Sequence, residues 1–306
     1  MQLSAFSAPG QFWRGNLHTH SDHSDGALSA QEVCARYQAQ GYDFLAITDH
    51  FSAKYDYPIT DTTPFRGSKF TTLLGAELHA PLLHNGDPWH ILAVGLPPDF
   101  TPPYVRQEGV DKPSETGPQL AMRAREAGAF IAMAHPQWSG LTMDDARSLT
   151  AAHAVEAYNH TCFIGVDRAD GFHTLDLLLE EGHRLNLCAT DDAHFKFQDH
   201  FGGWVMVKAS ANEPQALLQA LKEGAYYSTQ GPQFFNIELR DETVLVECTA
   251  AQSIILQSRG SRTVHRHGSA LTRLELPLGR LAQEAWLRVT IIDGNGKRAW
   301  SNPVWR

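Results

Sequence analysis

The chain has 306 residues, with 34 Asp plus Glu against 25 Lys plus Arg, 16 His, 4 Cys and 42% hydrophobic residues, for a formal charge of −9. That length and apolar content suffice for one large domain, or one large and one small, and exclude a disordered chain. The acidic balance excludes a general binder of nucleic-acid polymers or anionic membranes. No apolar run reaches the roughly 18 residues of a spanning helix, and the first ten residues lack leader character, so a soluble cytoplasmic protein is expected.

In chain order, strands are predicted over 12–17, 44–48, 72–77, 91–96, 129–134, 154–158, 185–189 and 204–207, and helices over 29–40, 117–127, 143–150, 167–180 and 213–223. Ser29 with Glu32, and Thr142 with Asp145, carry the spacing of helix-capping pairs. Alternation of strand and helix over this length implies a parallel sheet, open or closed into a barrel. Segments 52–69 and 97–116, rich in Pro, Asp, Thr and Gly, read as long loops over a site.

From Phe234 the pattern changes to short alternating runs, and Asp293-Gly294-Asn295-Gly296 is a hairpin-turn signal. Two units follow: residues 1–231, and a small all-β module over 232–306. The module holds 10 Lys plus Arg and 7 Asp plus Glu, which leaves −12 and fourteen of the sixteen histidines for the first unit. Acid and imidazole concentrated together form the ligand set of divalent metals. Cys34, Cys162, Cys188 and Cys248 form neither a Cys-x-x-Cys pair nor a disulfide ladder and are expected to be reduced, buried thiols.

The chemistry concentrates at strand ends. His18 and His20, in Asn16-Leu17-His18-Thr19-His20, point to the same face of extended backbone, so both imidazoles can reach one ion. Alone, such a pair fits a surface role equally well, and Asp25 before Gly26 also reads as a turn residue. The arrangement recurs, however. Thr48-Asp49-His50, Gly75-Ala76-Glu77, Ala134-His135-Pro136 and Asp191-Asp192-Ala193-His194 each end a predicted strand. Parallel strands ending in such residues gather them at one barrel mouth. His90 begins its strand, and the Asn85-Gly86-Asp87-Pro88 turn supplies a hairpin that returns it beside Glu77.

This ordered set of motifs resembles the polymerase and histidinol phosphatase (PHP) superfamily over roughly residues 12–230, and the aromatic framing and β tail are similar to the branch that includes carbaryl hydrolase. The resemblance implies a distorted (β/α)7 TIM-like barrel holding two to three divalent ions, Mn, Fe or Zn. It implies that His18, His20, Glu77 and Asp192 surround a first metal. Glu77 would bridge to a second, also held by His90 and His135, and Asp25, His50 and His194 would hold a third. Asp191 stands beside Asp192 as a second carboxylate, and only the Asp-Ala-His match separates them. Two ions about 3.5–4 Å apart can share a hydroxide and hold it in line with a phosphorus centre, with Glu77 and Asp192 as the catalytic carboxylates.

The expected activity is therefore a metal-dependent phosphoesterase acting on a small phosphomonoester or phosphodiester. Hydrolysis of carbamates, carboxyl esters or amides at the same site is the alternative, and a non-catalytic metal-stabilised scaffold is a third reading. His160 ends a strand and is a candidate proton donor to a leaving group. Arg168 and Lys54, with Arg66 and Lys69, are candidate phosphate contacts, although a solvated surface role suits each as well. Asp49 is read as a support for a ligand imidazole or a helix cap, and His23, His79 and His84 as surface or supporting residues. The β module is expected to cap the barrel or form a contact in a homo-oligomer, with Trp286, Trp300 and Trp305 as core or interface aromatics.

Overall fold

A computed structural model describes residues 3–107 and 110–306. One large mixed sheet organises the chain. Its first part runs, by neighbour, through the strands Asn186–Thr190, Ala154–Asn159, Phe130–Met133, Trp89–Val94, Thr71–Ala80, Phe44–Ile47 and Gln11–Asn16. Three of these strands, Phe44–Ile47, Phe130–Met133 and Ala154–Asn159, are buried along their whole length, as parallel or sheet-centre strands demand.

The expectation of an all-parallel sheet needs correction. Trp89–Val94 runs antiparallel to both of its neighbours, and Trp204–Ala209 is antiparallel to Gln11–Asn16. The cause of the first reversal is the short connection over 81–88, too short for a crossover, which folds the chain back on itself. That hairpin sets His79 opposite His90 and Glu77 opposite Leu92.

Beyond their regular parts the strands of this sheet curl toward one another at one end. Asp192 N donates to His18 O and His20 N to Ala193 O, at 2.9 and 2.8 Å. Thr48 N donates to Thr19 O at 2.8 Å, and Glu77 N to Thr48 O at 3.2 Å. Backbone hydrogen bonds thus tie the segments bearing His18, His20, His50, Glu77 and Asp192 into one rim.

The helices pack outside this sheet. Ala30–Ala39 and Met143–Ser148 begin with the predicted capping boxes, and Thr116 with Gln119 forms a third before Gly117–Glu126. The helix expected over 167–180 begins later, at Phe172, and a helix that was not expected precedes it. His160–Val166 starts where the Asn159 side chain accepts from Cys162 N; Asp167, with φ 55°, ends it, and Phe172–Glu180 follows. Within the segment read as a loop over 97–116, Tyr104–Gln107 and Val110–Pro113 pair as a hairpin; the turn between them lies outside the described residues.

The same sheet continues through Tyr226–Thr229 into the antiparallel C-terminal strands Phe234–Leu239, Thr243–Gln257, Thr263–Pro277, Trp286–Ile292 and Arg298–Ser301. The Asp293–Gly296 turn joins the last two as expected, with Asp293 N donating to Lys297 O at 2.9 Å. Trp286 and Trp300 are buried within the cluster that also contains Phe51, Met133 and Leu187, so the β tail packs directly on the first part. All four cysteines are free and buried. Among the described residues no helix is long and apolar enough to cross a membrane.

Candidate metal centre

Six imidazoles and three carboxylates expected as ligands converge where the strand ends meet. Glu77, fully buried, is their hub. Its Oε1 lies 2.7 Å from His90 Nδ1, 3.0 Å from His135 Nε2 and 3.7 Å from His18 Nε2, and its Oε2 lies 2.6 Å from His50 Nδ1 and 3.7 Å from His20 Nε2. Asp192 Oδ1 lies 3.1 Å from His18 Nε2 and 3.0 Å from His20 Nε2. Asp25 Oδ1 stands 3.3 Å from both His50 Nε2 and His194 Nε2.

Ligand atoms within 4.8 Å of one another form four groups: His18, His20 and Asp192; His18, Glu77 and His135; His20, Asp25, His50 and His194; and His50, Glu77, His79 and His90. All nine residues expected as ligands fall in these groups. The hairpin explanation for His90 holds, since its ring reaches Glu77 from the returning strand.

The donor set fits divalent cations. His18 Nε2, Asp25 Oδ1 and Glu77 Oε2 are buried without a hydrogen-bond partner, although charged or polar neighbours crowd around them. Buried polar atoms that converge without hydrogen bonding are costly unless an ion takes their lone pairs. His18 Nδ1 meets Glu156 Oε1 at 2.9 Å, which places the ring proton there and turns the Nε2 lone pair toward the site.

Burial alone would raise the Glu77 carboxyl, but His90, His50, His18 and His135 outweigh it and hold it well below the usual carboxylate range. Burial, reinforced by His50 and His194, lowers His20 to about 4. His90 also falls to about 4, because burial prevails over the pull of Glu77. Both rings are therefore neutral lone-pair donors near pH 7. His50 goes the other way: burial is overcome by Glu77 and Asp25, and it rises to about 10.

Backbone strain marks two of the expected ligand positions. His135 has φ 24° and Asp192 φ 56°, in the left-handed region that non-glycine residues seldom occupy. Each is the hinge by which a strand end turns its side chain inward.

Neighbouring residues divide cleanly by task. Asp191 accepts from Tyr37 Oη at 2.7 Å, from Asn16 Nδ2 at 3.2 Å and from the amides of Phe201, Gly202 and Gly203 at 2.8–2.9 Å. With its oxygens so engaged it anchors the following loop, and Asp192 alone faces the histidines. Asp49 neither supports His50 nor caps a helix. Its carboxylate accepts from Ser21 N and Oγ, Ser24 Oγ and Thr60 Oγ1, all within 2.7 Å, and so holds the loop that presents Asp25.

Two residues of the site escape the strand-end pattern. Glu156, inside Ala154–Asn159, accepts from His135 N at 2.6 Å and Asn159 Nδ2 at 2.9 Å, and also from Thr190 Oγ1. A single acid in an otherwise apolar buried strand was its signal. His79 reaches His50 Nδ1 at 2.8 Å through Nε2; its place two residues after Glu77, on the same strand face, was the clue.

A cavity of about 370 Å³ opens beside Asp25, His50, Glu77, His90, His135, Asp192 and His194. His160 does not line it. Its ring meets Tyr158 Oη at 2.9 Å and packs over Gly202, while Thr161 and Cys162 form that wall. Arg168 is exposed at the end of the following helix, away from the lining. Lys54 is exposed and meets Tyr55 Oη at 2.8 Å, and the Tyr55 ring stacks near His50 at 6.0 Å. Arg66 is committed to Thr72. A cation not anticipated, Lys196, pairs with Asp25 at 3.0 Å.

The two-domain protein from Bacteroides vulgatus containing a predicted PHP-like metal-dependent phosphoesterase superposes over 97% of this chain and 98% of its own, with a TM-score of 0.53 at 14% identity, a likeness of fold. A putative metal-dependent phosphoesterase from Bifidobacterium adolescentis (TM-score 0.42, 15% identity, 60% of this chain and 88% of that one) and an amidohydrolase from Chromobacterium violaceum with bound sulfate (0.44, 16%, 60% and 89%) are more distant. No curated protein matches. The PHP domain family model matches residues 16–135, the stretch that runs from the His18 strand end to His135. Over those residues the chain is similar to the PHP domain family.

Proposed function

We propose that the protein is a metal-dependent phosphoesterase that hydrolyses a small phosphomonoester or phosphodiester. The observation that carries the reading is the sharing of ligands: Glu77 belongs to two of the four donor groups, and His18, His20 and His50 each join two. Shared donors suit adjacent ions better than isolated structural ones. Two to three ions of Mn, Fe or Zn would fit, with His18, His20 and Asp192 at one, Glu77, His90 and His135 at another, and Asp25, His50 and His194 at a third. When bound, such ions acidify water and neutralise charge that develops on a phosphoryl group.

The chain's own residues supply the rest. Glu77 fixes the separation of neighbouring positions, Asp192 joins His18 and His20, and Glu156 sets the orientation of the His18 ring. Carboxylate from Asp25, in place of a further imidazole, makes the outermost position a harder one. The curled sheet is read as the distorted seven-stranded barrel, supported by the hydrogen bonds between the His18–His20 and Asp192–Ala193 segments. Residues 1–231 are read as the hydrolase unit and 232–306 as a β module that caps it.

Protein loaded in turn with Mn, Fe and Zn, assayed on phosphomonoesters, phosphodiesters, carboxyl esters and carbamates, tests the reading. Turnover of at least one phosphoester class, abolished by chelation, is expected. Turnover confined to carbonyl substrates would replace it by the ester or carbamate hydrolase reading.

A further inference from the structure

The wall of the metal-site cavity that carries no ligand is apolar. It consists of Trp138, Thr161, Cys162, Gly165, Val166 and Phe197. Trp138 packs edge-on against the His135 and His90 rings, with centroids 4.9 and 5.5 Å apart. Phe197 comes within 4 Å of the space above Gly165. Trp138, Val166 and Phe197 are nevertheless 44%, 54% and 47% exposed, three of the eight large hydrophobic side chains so exposed among the described residues.

Polar capacity on this side is already used. Thr161 Oγ1, the one hydroxyl in the wall, donates to Asp192 O at 2.7 Å. No lysine or arginine lines the cavity. At its rim Lys196 is paired with Asp25, and Lys54 meets Tyr55 Oη. A sugar, polyol or second phosphate placed here would surrender its hydrogen bonds to water and gain none, whereas a flat apolar group would cover exposed aromatic surface.

We infer that this wall is a subsite for an apolar, aryl-sized group joined to the scissile bond, so that the substrate is an ester of an aromatic or bulky alkyl alcohol and not a sugar or nucleoside phosphate. The inference rests on the phosphoesterase reading for its bond type but on the wall alone for its apolar part.

The test uses the full-length, metal-loaded protein. Its kcat/KM for 1-naphthyl phosphate should exceed that for glycerol 2-phosphate by about tenfold or more, and Phe197→Ser and Val166→Ser, both on exposed positions, should each reduce that ratio severalfold. In parallel, calorimetry should show 1-naphthylmethylphosphonate binding at least about tenfold more tightly than methylphosphonate, a readout independent of turnover. Equal or better turnover of glycerol 2-phosphate, or equal binding of the two phosphonates, overturns the inference and leaves the phosphoesterase reading intact. Preferential binding of the naphthyl phosphonate without turnover of any phosphoester overturns the phosphoesterase reading and leaves the subsite intact. Variants that dissociate an oligomer without altering the ratio would make the wall a subunit contact and end the inference.

Discussion

Glu156 lies beside the candidate ligands and touches four groups at once: the His18 ring, the His135 amide, the Asn159 amide group and Thr190. A carboxylate in that position fixes which nitrogen of His18 carries the proton. Glu156→Gln is expected to lower metal affinity by about 10–100-fold, the usual cost of losing such support. Competition with a chromogenic chelator measures it, and unaltered affinity would remove Glu156 from that role. Protonation gives a second prediction. Without an ion, Glu77 and Asp25 push His50 up to about 10, Glu77 and Asp192 raise His135, and Asp25 and Asp192 raise His194. A group whose folded pKa is raised holds its proton at neutral pH, so an ion must displace that proton to bind. Metal binding should therefore release protons and weaken as pH falls. Calorimetry in two buffers of different ionisation enthalpy should give different heats; identical heats would contradict it.

At the scale of elements, the strand Thr71–Ala80 does most to shape the site, carrying Glu77 and His79 and turning back to deliver His90. Gly75 lies two residues before Glu77, and a Cβ there would stand 2.7 Å from Ala93 O in the adjoining strand. Backbone cannot swing aside as a side chain can. Gly75→Ala should cost about 1–3 kcal/mol and lower the thermal midpoint by a few degrees, with loss of metal affinity as Glu77 and His90 part. An unchanged midpoint would show that the two strands separate without cost. The same strand shows what was legible beforehand. Ligands at strand ends stood out because an imidazole or carboxylate closing an apolar run breaks a pattern. Trp89–Val94 was legible as a returning strand only because a turn preceded His90. His160–Val166 was not, since His160-Thr161-Cys162-Phe163-Ile164 has no helical period, and a one-residue signal at Asn159 starts it. Glu156 was hidden for a related reason: alternation assigns faces but does not say what lies across from them.

For the whole molecule, net charge and site charge part company. The chain is acidic at −9, and the first 231 residues reach −12, yet three of those acids face the donor cluster. Divalent ions held there at the proposed occupancy would make the mouth locally cationic within an acidic protein, suited to a small anion and unsuited to a polyanion. The β tail shares a core with the first part through Trp286 and Trp300, so metal loss and β-tail stability should be coupled. All of this depends on the cluster holding metal. Elemental analysis of the protein purified without chelator, and again after reconstitution with Mn, Fe or Zn and removal of excess ion, tests that dependence most directly. At least two equivalents per chain are predicted; no bound metal in either preparation would contradict the account.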